Sequence, residues 1–283
     1  MFSLPINLLT INQFFGTAMG PAEARAFLEA RRQPTGTPPE TFEQQALHAV
    51  GPELYRAFFE GYTRKQWGRS PTDLPAAVFS RLPVRFTYDD RYFAHRHQGI
   101  PEDGYTEMVR RILDHPLIAL RLSTPYRPDM CRGHGHLFWS GPLDGFFDHR
   151  FGRLAYRTLD FHHHEAQGDH QGCPVMNYAD PGVPFTRITE HKHFAPWEQH
   201  TRTVYSQEFS RDAGPGDIPY YPVRLLPEKA QLKRYAALAK QTPGVTFLGR
   251  LGTYRYLDMD QCIAEALATA RCFLRQGWNG TVG

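Results

Sequence analysis

Arginine side chains, tyrosine side chains or both mark five short stretches of this 283-residue sequence. A guanidinium binds a diphosphate through two parallel hydrogen bonds, a tyrosine hydroxyl donates to a phosphate oxygen, and an aromatic face stacks on a base or a sugar. The composition of these stretches is therefore compatible with a diphosphate site, although exposed arginine and half-buried tyrosine are also common without a ligand. The stretches are GYTRKQWGRS (61–70), FSRLPVRFTYDDRYF (79–93), VPFTRITEHKHF (183–194), PYYPV (219–223) and GRLGTYRYLDMDQ (249–261).

Histidine-rich segments raise the alternative of a metal site. The run His162–His164 falls in a predicted strand, where successive side chains point to opposite faces and do not converge on one ion. His191 and His193 are predicted to share one strand face, but no spacing supplies an acidic third ligand. We therefore predict no metal site. The sequence also contains no GxSxG, Walker A, HExxH or GxGxxG motif.

Composition excludes several other classes of protein. Lysine and arginine total 32 against 29 acidic residues, and no basic run or zinc-finger spacing occurs, so we predict no nucleic-acid partner. No apolar run approaches the roughly 20 residues of a membrane span, and the N-terminus lacks the basic region of a signal peptide. The four cysteines, without a CxxC pair, are expected to be free thiols of a cytoplasmic protein.

The first third of the sequence is predicted to be helical. Pro21 stands at a first helical position before the helix formers AEARAFLEARR. Thr41 and Gln44 form a capping box at the start of a predicted helix. Gly51-Pro52 is predicted to break that helix. The helices predicted on such signals begin at Pro21, after Thr41 and at Leu54. A further helix is predicted to open at Asp73 and Pro75 and to run through Phe79.

The rest of the sequence alternates between helix and strand. Residues 155–210 contain repeated strand-like runs separated by turn residues, which favours an antiparallel sheet. Strands are also predicted at 84–93, 117–122, 136–139 and 245–248, and helices at 104–115, 232–240 and 259–274. We predict a mixed α/β fold of the α+β class, with helices first, then the antiparallel sheet, then a helix–strand–helix end.

The same stretches resemble the UDP-galactopyranose mutase family. The segments GYTRKQWGRSPTDLP, RLPVRFTYDDRYFAHRHQGIPEDGYT, SGPLD, VPFTRITEHKHF, PYYPV and GRLGTYRYLDMDQCI are similar to those of the family in order and spacing. The resemblance extends from Phe2 to about Leu274. Several segments together are far more specific than any single motif.

The resemblance implies an isomerase that interconverts UDP-galactopyranose and UDP-galactofuranose for galactofuranose-containing cell-wall polysaccharides. In the family, N5 of reduced FAD attacks the anomeric carbon and displaces UDP, and the flavin–sugar adduct then opens and recloses. Covalent catalysis lies on the cofactor, while the protein supplies position and charge. The resemblance is compatible with a homo-oligomer in the cytoplasm.

Residue roles follow from the same resemblance. Arg81, on a mobile loop near 67–85, and Arg187 would bind the diphosphate and stabilise the charge on the departing UDP as catalytic residues. The other substrate residues would be Tyr92, Tyr221 and Tyr256 at the diphosphate, Phe58, Phe59 and Tyr62 at uracil, Trp67 at the sugar, and Asn177. The cofactor residues would be Arg157, Arg250, Asp258 and Met259, the last two at a helix N-terminus that favours a reduced, anionic flavin.

One departure concerns the cofactor. In the family, a βαβ unit with the glycine fingerprint precedes the stretch that here reads Ser3-Leu4-Pro5. The sequence is therefore expected to begin past that unit, which would leave the apolar faces of 104–142 and 245–274 uncovered and would put FAD binding in doubt. The alternative function is a UDP-sugar-binding or structural remnant without catalysis.

The resemblance also predicts how the chain divides into domains. Part of a Rossmann-like FAD-binding domain is expected in two separate segments, with the missing βαβ unit as its first part. The five predicted segments are a mainly helical substrate-side domain (1–83), a strand and loop at the substrate cleft (84–101), part of the FAD-binding domain (102–145), an antiparallel sheet domain (146–243) and the C-terminal part of the FAD-binding domain (244–283).

Overall fold

The chain folds into two compact units. The structure, a computed structural model, describes residues 1–34, 37–131, 133–225 and 228–276. Unit 1 comprises 1–105 and 159–211, and unit 2 comprises 106–158 and 212–283. The predicted sheet segment 146–243 thus contributes to both units. The prediction of a mixed α+β fold is confirmed.

Unit 1 begins with helices whose ends follow the local sequence signals. Helix α1 (Leu8–Phe15) is capped by the Asn7 side chain, and Pro21 opens α2 (Pro21–Glu29) as predicted. The predicted capping box of Thr41 and Gln44 is present at the start of α3 (Phe42–Leu54). Gly51 kinks α3 because its φ of 78° is not helical. Glycine adopts such a positive φ easily, whereas other residues do so at a cost. A π-helix (Tyr55–Glu60) then leads directly into α4 (Gly61–Trp67).

The core of unit 1 lies among these helices. Phe42 and Phe79 meet edge to face with their ring centroids 5.3 Å apart, an arrangement that aromatic rings favour. The fully buried apolar side chains include Ile6, Leu8, Ile11, Leu28, Val50, Leu54 and Leu74. Burial of such side chains is the main source of folding free energy.

The antiparallel sheet predicted for 155–210 is confirmed. Its strands are β2 (Tyr156–Gln167), β3 (Val175–Asn177), β4 (Arg187–Glu190) and β5 (Arg202–Asp212), in the order β3-β4-β5-β2. In the register, Asn177 lies opposite Arg187, and Arg187 lies opposite Glu208. This register places three polar side chains at one end of the sheet.

Unit 2 contains a parallel strand pair and a separate aromatic core. Strand β1 (Leu137–Trp139) pairs in parallel with β7 (Val245–Phe247). The first residues of β2 pair with β6 (Tyr221–Pro222). The core joins Leu143, Leu154, Tyr156, Tyr235 and Tyr254. The helices are α5 (Gly104–Leu113), whose first two residues fall in unit 1, α6 (Leu143–Phe146), α7 (Lys229–Lys240), α8 (Gly249–Gly252) and α9 (Met259–Gln276).

Two long helices carry apolar side chains that face solvent. No residue of α5 is buried, and the side chain of Ile112 is 65% exposed. On α9, Ile263 and Leu267 repeat at helical spacing and are each about half exposed. The expectation that the faces of 104–142 and 245–274 carry uncovered apolar side chains agrees with these exposures.

Three sequence-predicted elements were wrong. Residues 84–93 form no strand, because the loop folds around Arg85, whose guanidinium donates to the carbonyls of Asp89, Arg91 and Phe93. Residues 117–122 are not a strand either, since no described strand pairs with them. The helix expected near 73–79 is reduced to a 3₁₀ turn (Ala76–Val78), in which the Val78 N–H donates to the Pro75 carbonyl at 3.0 Å and the Phe79 N–H to the Ala76 carbonyl at 3.1 Å.

The cysteine and membrane predictions can be compared with the described part of the chain. Cys173, Cys262 and Cys272 are free thiols, whereas the side chain of Cys131 lies outside the described residues. Within the described ranges, no helix combines the length and the apolar character needed to cross a bilayer.

Candidate functional site

Arg187 is the centre of a polar cluster in unit 1. Its Nε donates to Asn177 Oδ1 at 3.0 Å, and its Nη2 donates to Tyr62 Oη at 3.1 Å. Glu208 Oε2 lies 3.9 Å from Nη1. The guanidinium side chain keeps about a third of its surface exposed, so it is held in place and still reachable by a ligand. A guanidinium fixed in this way suits bidentate recognition of a phosphate.

Local structure explains how these three side chains meet. Asn177 ends β3 and Arg187 begins β4, and the antiparallel register sets them directly opposite each other. Tyr62 comes from α4, whose end is tied to β5 by a hydrogen bond from Ser210 Oγ to the Gln66 carbonyl at 2.6 Å. The structure therefore brings together three of the predicted substrate residues.

The remaining aromatic residues predicted at uracil and sugar lie in the same helical segment. Phe58 and Phe59 lie on the π-helix and are half-buried. Phe58 packs edge to face on Phe2 with centroids 5.1 Å apart, and Phe59 does the same on Phe79 at 5.1 Å. Trp67 is buried at the end of α4. These rings pack within unit 1, and a stacking role for them remains a prediction.

Arg81 and Tyr92 lie in irregular parts of unit 1. Arg81 follows the 3₁₀ turn by three residues and is half-buried. Tyr92 is exposed and packs edge to face on Phe93 with centroids 4.8 Å apart. The roles of both residues at a diphosphate remain predictions.

In unit 2, two predicted substrate tyrosines meet around one predicted cofactor residue. The rings of Tyr221 and Tyr256 lie edge to face with centroids 5.5 Å apart. The Arg250 guanidinium lies 5.6 Å from the Tyr221 ring and 4.9 Å from the Tyr256 ring. Its Nε and Nη2 donate to the Leu257 carbonyl and its Nη1 to the Tyr220 carbonyl. Arg250 thus ties α8 to the chain segments that carry the two tyrosines.

The other predicted cofactor residues are Arg157, Asp258 and Met259. Arg157 is buried on β2, and its Nη1 forms an ion pair with Asp212 Oδ1 at 2.6 Å. Met259 begins α9 as predicted and is exposed, while the Asp258 backbone N–H is taken by Gln261 Oε1 at 3.0 Å. Both predicted cofactor arginines are therefore bonded to groups of this chain.

A cluster at the far end of the sheet was not foreseen in the sequence. His191 and His193 lie in a 3₁₀ turn (His191–Phe194), so the predicted shared strand face was wrong. The fold instead brings Asp169 and Glu190 to His193, whose Nε2 lies 3.4 Å from Glu190 Oε2 and 3.7 Å from Asp169 Oδ1. The ammonium of Lys192 already binds Asp169 Oδ1 at 2.5 Å.

Glu190 acts as the anchor of this hairpin end. Burial works to raise the pKa of its carboxyl, but the backbone N–H groups of His170, Gln171 and Gly172 hold that pKa at about 2. The carboxylate accepts these N–H groups at 2.7–3.2 Å. A carboxylate satisfied by three backbone donors stabilises a turn and does not need a metal ion to explain its burial.

Two further histidines share one hydroxyl on the sheet. His163 Nδ1 and His191 Nε2 each lie 2.8 Å from Ser206 Oγ. Burial, with a smaller contribution from His163, lowers the pKa of His191. A positive charge on His191 would be poorly solvated in this position, so its neutral form is favoured.

Lys65 is a residue that sequence reasoning missed. It lies between Tyr62 and Trp67 in a stretch already singled out for its cations, but lysine on a helix is most often a solvated side chain. The fold places its ammonium within hydrogen-bond distance of four backbone carbonyls of the β3–β4 connection. Only the tertiary structure distinguishes it from Arg64, its exposed neighbour.

Comparison with known proteins points to one family. A family model described as UDP-galactopyranose mutase matches residues 57–256, a range that contains the Arg187 cluster and the two tyrosines of unit 2. A protein of Klebsiella pneumoniae named "Probable UDP-galactopyranose mutase" is 55% identical over 274 residues, which is 97% of this chain and 71% of that protein.

Two other similarities bear on specificity and fold. An Escherichia coli protein named "dTDP-fucopyranose mutase" is 49% identical over 282 residues, covering 97% of this chain and 75% of that protein. A crystal structure of reduced UDP-galactopyranose mutase matches 91% of this chain and 74% of its own, with a TM-score of 0.62 and 13% identity. At that identity, the structural match shows a shared fold.

Proposed function

Because this chain belongs to the UDP-galactopyranose mutase family, we propose that it interconverts UDP-galactopyranose and UDP-galactofuranose as an isomerase. The observation that supports this proposal most directly is the Arg187 cluster, in which Tyr62 and Asn177 fix a guanidinium side chain that stays about one third exposed. Such a guanidinium is already oriented before the ligand arrives, so little conformational entropy is lost on binding. A nucleoside diphosphate is the ligand that matches it.

Within this proposal, the protein side chains bind and orient the nucleotide. Arg187 would bind the diphosphate, and its positive charge would stabilise the charge that grows on UDP as the bond to the sugar breaks. Arg81 would act in the same way from the segment that follows the 3₁₀ turn. Hydrogen bonds to the diphosphate would come from the hydroxyl groups of Tyr92, Tyr221 and Tyr256. Contacts to uracil or sugar would come from Phe58, Phe59, Tyr62 and Trp67.

FAD is the cofactor that the family implies, and reduced flavin would supply the nucleophile for the sugar. The described residues fit only part of such a site. The N-terminus of α9 at Met259 is suited to negative charge. In contrast, the 283 residues contain no GxGxxG loop, and Arg157 and Arg250 are bonded to Asp212 and to backbone carbonyls.

The parallel pair of β1 and β7 supports a finer proposal about unit 2. Parallel strands are usually found inside α/β sheets whose faces are covered by helices. A Rossmann-like arrangement in unit 2, as part of a FAD-binding domain, is consistent with this pair and with α5 and α9. The three free thiols support a reducing compartment such as the cytoplasm, and a homo-oligomer remains part of the proposal.

A second candidate substrate comes from the Escherichia coli relative. At 49% identity over 282 residues, the dTDP-fucopyranose in the name of that relative is a specific alternative substrate to UDP-galactopyranose. The two nucleotides differ in the base methyl group and the ribose 2′-hydroxyl, and both present the same diphosphate to Arg187. A binding protein without turnover is the third outcome that an experiment must separate.

The test is a conversion assay with both nucleotide sugars. The chain is incubated with dithionite-reduced FAD and with UDP-galactofuranose or dTDP-fucofuranose, and the pyranose product is measured by chromatography. We expect conversion of the UDP sugar, and Arg187→Ala should lower it by about 10²–10³-fold. Arg202→Ala is the matched control, since Arg202 is an exposed arginine of the same sheet paired with Glu165, and it should retain the activity.

Each result identifies one of the candidate functions. Conversion of the dTDP sugar alone would support the second candidate. Binding of UDP by calorimetry without conversion, even when FAD is shown to bind, would support a non-catalytic binding protein. If Arg187→Ala and Arg202→Ala behave alike, the diphosphate role of Arg187 is wrong.

A further inference from the structure

The β3–β4 connection is held by a single ammonium group from α4. Lys65 Nζ lies 2.6 Å from the Tyr178 carbonyl oxygen, 2.8 Å from that of Asp180, 3.0 Å from that of Val183 and 3.1 Å from that of Phe185. An ammonium has three N–H donors and no acceptor, so these bonds are shared among the four oxygens. The four carbonyls span nearly the whole connection between Asn177 and Arg187.

The acceptors show which form of the lysine is present. Four converging carbonyl oxygens require donors, and a neutral amine has only two. Burial lowers the pKa of Lys65, while the negative charge of Asp180 works in the opposite direction. The Asp180 carboxylate accepts the Gly182 N–H at 2.8 Å, and the main-chain carbonyl of Asp180 accepts from the ammonium.

A second contact on the same helix face fixes the approach of α4. Gly61 lies four residues before Lys65, which places the two on one side of the helix. A Cβ at Gly61 would overlap the Ala179 carbonyl oxygen and touch the ring of Pro181. The absence of a side chain therefore lets the helix backbone lie directly against the connection that Lys65 binds.

The contact between α4 and the β3–β4 connection affects the Arg187 cluster, because both elements contribute residues to it. Tyr62 stands between Gly61 and Lys65 in sequence, and its hydroxyl accepts from Arg187 Nη2. Asn177 and Arg187 are the residues at either end of the connection, and its ends are closed by the Tyr178 N–H donating to the Thr186 carbonyl at 2.9 Å. A shift of α4 along this connection would therefore change the separation of Tyr62 from Arg187.

We propose that Lys65 is a positioning residue that holds α4 against the β3–β4 connection and thereby sets the geometry of Tyr62, Asn177 and Arg187 for a nucleoside diphosphate. This inference rests on the proposed function. Lys65 acts through the backbone of residues 178–185 and through Arg187. Lysine suits the position better than arginine, because a compact ammonium can point its donors at several convergent oxygens, whereas a planar guanidinium directs them as a fork.

The first test measures UDP affinity by calorimetry without any flavin. Lys65→Met keeps the aliphatic stem and removes the donors, and we expect the dissociation constant for UDP to rise about tenfold as the cluster loses its geometry. Lys192→Met is the matched control, because Lys192 is also a lysine of unit 1 whose Nζ binds a backbone carbonyl, that of Gly168, at 2.7 Å. Its UDP affinity should stay within about twofold of the unsubstituted chain.

A double-mutant cycle separates positioning from general destabilisation. Tyr62→Phe removes the hydroxyl that accepts from Arg187. In that variant, the position of α4 set by Lys65 no longer controls this hydrogen bond. We expect the effect of Lys65→Met on UDP affinity to shrink to within about threefold in that background. Equal effects in both backgrounds would contradict a positioning role.

Chemical rescue covers the case in which Lys65→Met does not fold. Lys65→Ala removes three carbons and the nitrogen, which is the size of propylammonium. Adding propylammonium should restore UDP affinity, whereas neutral propanol should not. Restored thermal stability without restored UDP affinity would overturn the inference.

The outcomes also separate this inference from the proposed function. If the unsubstituted chain binds UDP, Arg187→Ala loses that binding and folded Lys65→Met keeps it, the positioning role is wrong and the proposed function stands. If the unsubstituted chain binds neither UDP nor the dTDP analogue, the proposed function fails, and the positioning role fails with it.

Discussion

Arg187 in unit 1 and Arg250 in unit 2 are both arginines flanked by tyrosine, but their donors go to different places. Arg187 meets side chains, Tyr62 and Asn177, and keeps about a third of its surface exposed. Arg250 lies beside Tyr221 and Tyr256 and directs three donors to the carbonyls of Leu257 and Tyr220. A guanidinium that side chains hold and that stays partly exposed can offer its remaining donors to a ligand, whereas one bound to backbone carbonyls mainly supports the fold.

The surfaces of the two units differ in a related way. The helices of unit 1 bury apolar side chains in a core, among them Leu28 and Leu54, which are fully buried. Unit 2 keeps a compact aromatic core around Tyr235 and Tyr254 but leaves the apolar side chains of α5 and α9 open to solvent. An amphipathic pattern therefore shows that a face suits burial, but it does not show that the face is buried.

The largest expected effect tests the difference in burial. Leu54→Ala should lower the free energy of unfolding by about 2–5 kcal/mol, because it removes a fully buried side chain and leaves a cavity. Denaturant unfolding, with fluorescence as the readout, measures this directly. A loss below about 1 kcal/mol would mean that the helices of unit 1 are less tightly packed than the structure shows.

Arg250→Ala tests whether this arginine supports the fold. Removing a charged donor set from two carbonyls should cost about 3 kcal/mol of unfolding free energy. UDP affinity, measured by calorimetry at a temperature where the variant is folded, should change little. Arg187→Ala should show the reverse pattern, with a large loss of UDP affinity and a small loss of stability, and equal behaviour of the two variants would contradict the comparison.

Glu190→Gln probes the hairpin anchor of unit 1. An amide has one acceptor oxygen, so at least one of the three backbone N–H groups would lose its carboxylate partner, and the expected cost is about 2 kcal/mol. The depressed pKa also predicts an acid dependence. The unfolded chain takes up the proton first, so this stabilisation is complete above about pH 4.5 and is lost as the pH falls toward about 2.

The control for this prediction is the pH profile of the variant itself. Denaturant unfolding between pH 7 and pH 3 should show a steeper loss of stability in the unsubstituted chain than in Glu190→Gln, since the amide does not titrate. Parallel profiles would show that the carboxylate is not ionised and bonded as described.

The smallest effect is expected for Ile112→Lys on α5. The side chain of Ile112 is 65% exposed, so the substitution should change the unfolding free energy by no more than about 0.5 kcal/mol. Binding of a hydrophobic dye such as ANS should fall, because the substitution breaks an exposed apolar face. A loss above about 2 kcal/mol would indicate that this face is covered in the folded protein in solution.

Elements with strong local signals were predictable from the sequence. The capping box at Thr41, the proline that opens α2 and the long amphipathic repeats of α5 and α9 act within one or two helical turns, so neighbouring residues determine them. The strand prediction for 84–93 was wrong although the sequence alternates as in a strand. The alternation does not reveal that the Arg85 guanidinium donates to carbonyls of its own loop.

The candidate site also combines features that the sequence predicts with features that depend on tertiary packing. Residue type and order were enough to single out Tyr62 and Arg187 and to show the resemblance to the family, and that resemblance added Asn177. What Lys65 binds depends on which carbonyls surround it, and what surrounds Glu190 depends on how a hairpin end folds back. Sequence by itself determined the family and the chemistry of the side chains; only the tertiary structure decided which of them meet, because contacts between residues 65 and 178–185 arise from packing rather than from local preference.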